Sequence, residues 1–406
     1  MNPSNEPARI AHRRGTAMTM IGGAVLVAAG CGGSSVDLAE SAVCDGGVPG
    51  DLAVAPSPDG NGDRLFAICW QDTTHADPGR IAVYETSDDG TALSPSASYP
   101  VGRQASDLTV TDLDGDGIAD LLAANTGGLS EDHHVSFLKG NDDGSYEDAR
   151  RLPAVRSGFV VNDIDGDGRN DLVIPDETAA LVAQTSIGDM DADADLTGTF
   201  RRGRLPGVET QSRSGDVVRG LNGHDRLAVV LDREGGLVHV YAEGGEGKTD
   251  ITLPAEAPSI HSVLAVADLN ADERPDLVAS VQTADDPLVH TVHLVLSTAD
   301  GAWAVSEIDG VSSAPSAEMA LAADGDGTAH AFLAARDNTD GSDSELAHFT
   351  INADGEATVE STIAVPHFPY SMAVADLDGD DTDAVIIRDM DGQRLSWFSM
   401  EAFSES

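Results

Sequence analysis

This chain of 406 residues is poor in positive charge, in aromatic rings, in cysteine and in long apolar runs. Lys and Arg number 23 against 70 Asp and Glu, a formal net charge of −47. Nucleic acid and anionic membrane surfaces are therefore poor partners, and neither is expected, because a polyanion binds them only through a local basic patch. Cations are the natural company of such a chain. Aromatic residues make up only 4%, which denies large cores to its hairpins, although 41% hydrophobic residues exclude global disorder. The apolar run Ala17–Ala29 is shorter than the roughly 18 residues a membrane span needs. Also absent are a Gly-x-Ser-x-Gly elbow, a His-Glu-x-x-His zinc motif and a phosphate-cradling glycine loop, so the common hydrolytic and nucleotide chemistries have no starting point. The 12 histidines are scattered, and the adjacent pair His133 and His134 lies in an acidic turn.

Residues 1–30 read as an export signal. Arg9, His12, Arg13 and Arg14 form a basic start, an apolar stretch follows, and Ala28, Ala29 and Gly30 lead into Cys31. The segment resembles a bacterial lipoprotein signal, with Ala28 where leucine is usual. That resemblance implies lipid on Cys31 and contact with the membrane through the lipid alone, in the cell envelope of a bacterium. Ordinary secretion, or a structural role for Cys31, is the other reading. With three cysteines in the chain and Cys31 spent on lipid, Cys44 and Cys69 remain as a disulfide pair. Two buried free thiols are the alternative.

Repeats organise the rest. The segments 106–125, 158–176, 262–281 and 371–389 share one template: an alternating apolar strand, an Asp-rich loop and a second strand. Weaker copies at 51–69, 213–232 and 317–336 bring the number to seven, at intervals of 48 to 57 residues. A strand, a Gly/Asp turn and another strand follow the Asp-rich loop in 135–152, 237–253, 291–308 and 346–363. Each period thus holds four antiparallel strands. The pattern predicts an all-β fold, a seven-bladed β-propeller of four-stranded antiparallel blades. The last copy stops one strand short, and 35–43 is placed to supply it. The expected layout is a signal at 1–30, a lipidated linker and closing strand at 31–46, and the propeller at 47–406. A Cys44–Cys69 bond would then pin that closure.

The string Asp-x-Asp-Gly-Asp-Gly-x-x-Asp-Leu after an alternating strand, followed by a turn such as 140–146, resembles the VCBS/FG-GAP repeat family, whose best-known fold is the integrin α-subunit propeller. The resemblance spans roughly residues 45–400, and the literal Phe-Gly and Gly-Ala-Pro signatures are missing. It implies the fold more firmly than any activity.

The Asp-rich loops carry the chemistry. Calcium takes six to eight oxygens at about 2.3–2.6 Å, which carboxylates at loop positions 1, 3, 5 and 9 and a carbonyl at 7 can supply. Asp112, Asp114, Asp116 and Asp120 with the Ile118 carbonyl form one such set, and Asp163, Asp165, Asp167 and Asp171 with the Arg169 carbonyl a second. Asp268, Asn270, Asp272 and Asp276 with the Arg274 carbonyl form a third. A fourth, Asp376, Asp378, Asp380 and Asp383, is one residue short, and Asp381 replaces its second glycine. In the sixth copy Ala322 and His330 stand at the outer ligand positions, Gly220, Asn222 and His224 spoil the fourth copy, and the first is short. An EF-hand is excluded, because position 12 is Ala123, Ile174, Ala279 or Ile387 rather than glutamate. About four structural Ca²⁺ ions are expected, contributing folding free energy rather than catalysis.

The connections between blades gather Arg103, Arg156, Arg213, His261, His367 and Tyr370. Arginine suits planar carboxylates, so this face is read as the ligand mouth for an anionic group on a protein or glycan. The alternative is that these arginines serve as local partners for the excess carboxylates. Carboxylates committed to calcium are poor general acids. The expected protein is thus a monomeric cell-surface binding or adhesion module without catalysis. The rival is a calcium-dependent polysaccharide lyase or hydrolase on the same scaffold.

Overall fold

The computed structural model describes twenty-eight strands between Ala39 and Ser399. Residues 1–38, 401–406 and several connections, the longest at 185–201 and 205–216, lie outside the described residues. Strand β1 (Ala39–Ala42) is followed by a first sheet of β2 (Val48–Pro56), β3 (Asp63–Trp70), β4 (Pro78–Thr86) and β5 (Leu93–Arg103). The second sheet holds β6 (Ala105–Thr111), β7 (Asp120–Asn125), β8 (His134–Leu138) and β9 (Arg150–Pro153). The third holds β10 (Val160–Asn162), β11 (Asp171–Pro175), β12 (Leu181–Gln184) and β13 (Arg202–Arg204). The fourth holds β14 (Val217–Val218), β15 (Ala228–Asp232), β16 (Leu237–Tyr241) and β17 (Lys248–Thr252). Next come β18 (Ile260–Ala267), β19 (Asp276–Gln282), β20 (His290–Ser297) and β21 (Trp303–Ser313), and then β22 (Met319–Ala323), β23 (Ala329–Arg336), β24 (Ser344–Ile351) and β25 (Ala357–Val365). The last sheet has β26 (Pro369–Ala375), β27 (Ala384–Asp389) and β28 (Arg394–Ser399). Its fourth strand is β1, antiparallel to β28, with Ala39 opposite Trp397 and Ala42 opposite Arg394.

Side-chain alternation decides how these sheets stack. Successive residues of a strand point to opposite faces, and in β3 each face meets a different neighbour. Leu65 and Ala67 pack with Ile386 and Trp397 of the last sheet, whereas Phe66 and Ile68 pack with Leu108 and Leu121 of the second. Leu122 and Phe137 continue to Phe159 and Leu172 of the third. Val240 of the fourth meets Leu277 of the fifth, Val278 of the fifth meets Leu333 of the sixth, and Phe332 of the sixth meets Val385 of the last. Strands β7 and β8 are therefore buried along their whole length, while the outer strand β5 is largely exposed. Consecutive sheets packed face to face around their first strands make a β-propeller scaffold.

The polar ties follow the same order. Asp51 in β2 accepts the Leu108 amide of the second sheet and the Ser371 hydroxyl of the last, each at 2.9 Å. One carboxylate thus joins three sheets. Near it, Cys44 and Cys69 form a disulfide with Cα atoms 5.3 Å apart. Arg80 donates to the Cys44 carbonyl at 2.8 Å and the Tyr84 hydroxyl accepts the Cys44 amide at 2.7 Å. The bond lies in the core shared by the first and last sheets, where the connection leaving β1 enters the first sheet.

The second hairpin turn recurs as well. Gly144, Gly301 and Gly355 all adopt left-handed φ values of 78°, 79° and 75° and donate to the carbonyls of Asn141, Thr298 and Asn352. Only glycine takes that conformation without cost. Among the described residues no helix is long and apolar enough to cross a membrane.

Candidate metal loops

Two of the Asp-rich loops are fully described, and they share most of their hydrogen bonds. In the loop between β6 and β7, Asp112 accepts the amides of Gly115 and Asp116 on Oδ1 and of Gly117 on Oδ2, at 2.7, 3.1 and 2.8 Å. In the loop between β18 and β19, Asp268 accepts the amides of Asp272 on Oδ1 and of Glu273 on Oδ2, at 3.0 and 2.8 Å. At the fifth position, Asp116 caps the Ile118 amide and Asp272 caps the Arg274 amide, each at 2.9 Å. The backbone path is also shared. Gly115 and Gly117 have φ of 78° and 87°, and their counterparts Ala271 and Glu273 hold 57° and 63°. A side chain in that region costs roughly 1–2 kcal/mol per residue, so the second loop keeps the shape without the residues that make it cheap.

Asp120 and Asp276 stand apart from the rest of the comb. Both are fully buried at the start of a second strand. Asp120 accepts Leu113 and Gly140 amides at 2.9 and 2.8 Å, one per oxygen. Asp276 does the same for Leu269 and Ser297 at 3.0 and 2.8 Å. Each carboxylate therefore braces the loop against the following hairpin. Burial pushes the pKa of both up to about 6 against those amides, with Asp114, or Asp272 and Asp268, adding repulsion.

The remaining carboxylates converge. Asp112, Asp114 and Asp116 each place an oxygen within 4.8 Å of the other two. Oxygens bound to one calcium at about 2.3–2.6 Å can be at most roughly 5 Å apart, so the group fits the ion's size. Lys139, just after β8, bonds both Asp114 and Asp116. Slight burial of Asp116 works upward, but that ammonium and the Ile118 amide outweigh it and hold the carboxyl low. Lys139 in turn is raised, its burial overcome by the two aspartates. In the 268–276 loop the equivalent cation is Arg274, bonded to Asp272. Asn270 there donates to Asp272 at 3.0 Å, while its own Oδ1 is buried and has no hydrogen-bond partner. An orphaned acceptor at a ligand position, in a side chain only 9% exposed, fits a site that expects a cation.

Other expected site residues are placed in part. Asp163, Asp165, Asp167 and Arg169 lie outside the described residues, as does the side chain of Asp171 in β11. In the last sheet Asp376 accepts the Gly379 amide at 2.8 Å, matching the Asp112 bond, while Asp378 and Asp380 lie outside. The Asp383 carbonyl accepts the Met400 amide at 2.9 Å. The short first copy closes as a hairpin turn, with Ser57 and Gly62 bonded at 2.9 Å. Of the expected mouth, Arg103 is exposed, whereas Arg156, Arg213 and His367 and the side chains of His261 and Tyr370 lie outside the described residues.

Several contacts were not legible in the sequence. Asp63 and Asp376 exchange backbone and carboxylate bonds between the first and last sheets, at 2.6 and 3.1 Å. Asn170 donates to the Asp112 carbonyl at 2.7 Å, joining the third sheet to the second loop. Arg64 donates to the Gly144 carbonyl at 2.8 Å and lies over the rings of Phe66 and Tyr146. The Asp-rich loops thus serve as joints between neighbouring sheets. Their partners lie far away in sequence, and only the repeat phase could have hinted at them.

Comparison with known proteins agrees with the motif. Residues 112–174 match the FG-GAP-like repeat family, and no curated protein matches the chain. Among solved structures, the chain is similar to a catalytically inactive virginiamycin B lyase from Staphylococcus aureus crystallised with quinupristin, at 11% identity, covering 89% of this chain and 99% of that one, with a TM-score of 0.49. It is also similar to the NanB sialidase of Streptococcus pneumoniae, at 11% identity over 89% and 70% of the two chains, TM-score 0.46. A third is the periplasmic gluconolactonase PpgL of Pseudomonas aeruginosa, at 16% identity over 83% and 81%, TM-score 0.38.

Proposed function

We propose that the chain is an exported, calcium-stabilised propeller of seven blades closed into a ring, acting as a non-catalytic binding or adhesion module at the cell surface. The fourth and third sheets complete the ring in this reading, and Cys31 carries the lipid that tethers it to a bacterial envelope. The observation that carries the calcium part is Asn270, whose buried Oδ1 has no partner within the protein and sits where a hard cation would take an oxygen ligand. Asp112, Asp114 and Asp116 support the same chemistry in the second sheet. These residues would hold the ion, which supplies charge neutralisation and cross-linking of the loop.

The metal would serve the scaffold, because the loops carrying it also hold neighbouring sheets together through Asn170 and Asp63 and are braced against their own hairpins by Asp120 and Asp276. The ligand surface then falls to the opposite face, where Arg103 is exposed and where Arg156, Arg213, His261, His367 and Tyr370 are expected to converge on an anionic protein or glycan group. Two measurements test this. Calcium titration of chelator-stripped protein should give uptake of about four ions and a higher melting temperature; no heat and no shift would refute the metal. A glycan and surface-extract screen should give capture without depolymerisation, lost on Arg156→Glu with Arg213→Glu. Turnover of a polysaccharide by the purified protein would instead make it an enzyme.

A further inference from the structure

At two seams between sheets, the residue that opens an Asp-rich loop is held from the neighbouring sheet. Asn170, directly before β11, donates its side-chain amide to the Asp112 carbonyl at 2.7 Å and to Thr111 Oγ1 at 3.4 Å. Asp63, the first residue of β3, donates its backbone amide to the Asp376 carbonyl at 2.6 Å and accepts the Asp376 amide at 3.1 Å. Asp112 and Asp376 are counterparts. Each directly follows its sheet's first strand, and each takes on Oδ1 the amide three residues on, Gly115 at 2.7 Å and Gly379 at 2.8 Å. Each therefore faces two ways: the carboxylate turns into its own loop, and the main chain is tied to the neighbouring sheet.

The tie is made differently at the two seams. Beside Asp63, a Cβ on Gly62 would lie 2.8 Å from both the Asp376 carbonyl oxygen and the Gly379 nitrogen, so there the backbones themselves meet. At the position of Gly62, one residue before the second strand, the third sheet has Asn170, and its side chain makes the bond. The second and fifth sheets have Ala119 and Pro275 there, and neither carries a side-chain donor. The Asn170 bond thus follows from one residue and not from the repeat.

What the bond constrains is a candidate ligand. The carbonyl and carboxylate of Asp112 branch from one Cα, so holding the first in place limits where the second can go. That carboxylate accepts the amides of Gly115, Asp116 and Gly117, and it lies within 4.8 Å of those of Asp114 and Asp116. An outer hydrogen bond that fixes a ligand raises affinity for the ion, because less order has to be imposed on binding. One neutral hydrogen bond limits that factor to about tenfold. Reciprocity then requires that a cation in the loop strengthen the tie to the third sheet by the same factor.

We propose that Asn170 is a positioning residue for the cation of the 112–120 loop, and that through it occupancy of the loop is linked to the docking of the third sheet on the second. Resting on the calcium reading above, this link makes the ion in one loop govern a seam with the neighbouring sheet as well as its own hairpin.

The test titrates the chelator-stripped full chain with Ca²⁺ and follows backbone amides by NMR, so that each loop reports its own midpoint. Asn170→Ala should move the midpoint at Gly115 and Gly117 to calcium concentrations several-fold to about tenfold higher. The midpoint at Ala271 and Glu273, in the 268–276 loop, should stay in place. Asn170→Asp, which keeps the size and removes the donor, should act in the same direction. By reciprocity, calcium should slow hydrogen exchange at Leu172 and Val173 in β11 less in Asp114→Asn than in the unaltered chain. A purely structural Asn170 would lower the melting temperature of the metal-free protein on substitution and leave the Gly115 and Gly117 midpoint where it was. That result would overturn the link while calcium uptake, and the reading it supports, survived. No calcium uptake at either loop in the unaltered chain would overturn both.

Discussion

Lys139 and a divalent ion in the 112–120 loop would claim the same oxygens. The ammonium bonds Asp114 and Asp116, two of the three carboxylates that converge there. Replacing it by methionine keeps the stem and removes the charge. A unit charge roughly 5 Å from a doubly charged ion is repelled by about 1.7 kcal/mol at the dielectric of water, and by several times more at an effective value near 20. The Lys139 side chain is 22% exposed and can swing outward, so the aqueous end of that range governs. Lys139→Met should then tighten calcium at this loop by about tenfold, equivalent to about 1.4 kcal/mol. Without calcium the same change should destabilise the protein, because Asp114 and Asp116 lose their counter-charge. Calorimetric titration of chelator-stripped protein, with urea melts in EDTA, measures both signs. The 268–276 loop is the internal control, since Arg274 stays in place. Unchanged or weaker calcium binding by Lys139→Met would refute the competition.

Three more expectations follow from the geometry. Ala271→Gly and Glu273→Gly should each raise stability by about 1 kcal/mol in urea melts, because both positions hold left-handed φ; Gly115→Ala should do the opposite, and a loss from both glycine substitutions would contradict the shared loop path. Cys69→Ala should cost roughly 3 kcal/mol, from loop-closure entropy over a sequence separation of 25 residues, and Cys44→Ala with Cys69→Ala should cost little more than either alone. His293 is buried beside Thr291, and that burial, opposed by Glu307, lowers its pKa below the ordinary 6.5. The unfolded chain therefore takes up a proton first as pH falls below about 6.5, and this stability is lost on acidification; His293→Gln should melt with a shallower pH slope between about 7 and 5, and an identical slope would refute it.

Much of the scaffold was legible because it is written in repeats. The period of about fifty residues, the alternating strands and the turn glycines specify local hairpins, whose partners are close in sequence. The disulfide was legible for a different reason: reading Cys31 as the lipidated residue left Cys44 and Cys69 as the pair, and these two are bonded. The role of Asp120 and Asp276 was not legible. Their spacing within the comb is that of a ligand, and each oxygen also accepts one amide, from as far as 20 residues away at Gly140 and 21 at Ser297. Lys139 was also invisible, since nothing local marks the lysine that will lie over an aspartate 25 residues earlier.

By itself the sequence determined the all-β repeat pattern, the antiparallel hairpins within each copy and the loops where carboxylates gather, because all of these depend on neighbours along the chain and on a two-residue side-chain period. The tertiary structure alone decided which face of each strand meets which sheet, which carboxylates brace and which stay open, and that Asn170 would hold the Asp112 carbonyl. Those outcomes depend on the packing of sheets against one another, where a side chain's environment is set by residues that no local pattern brings together.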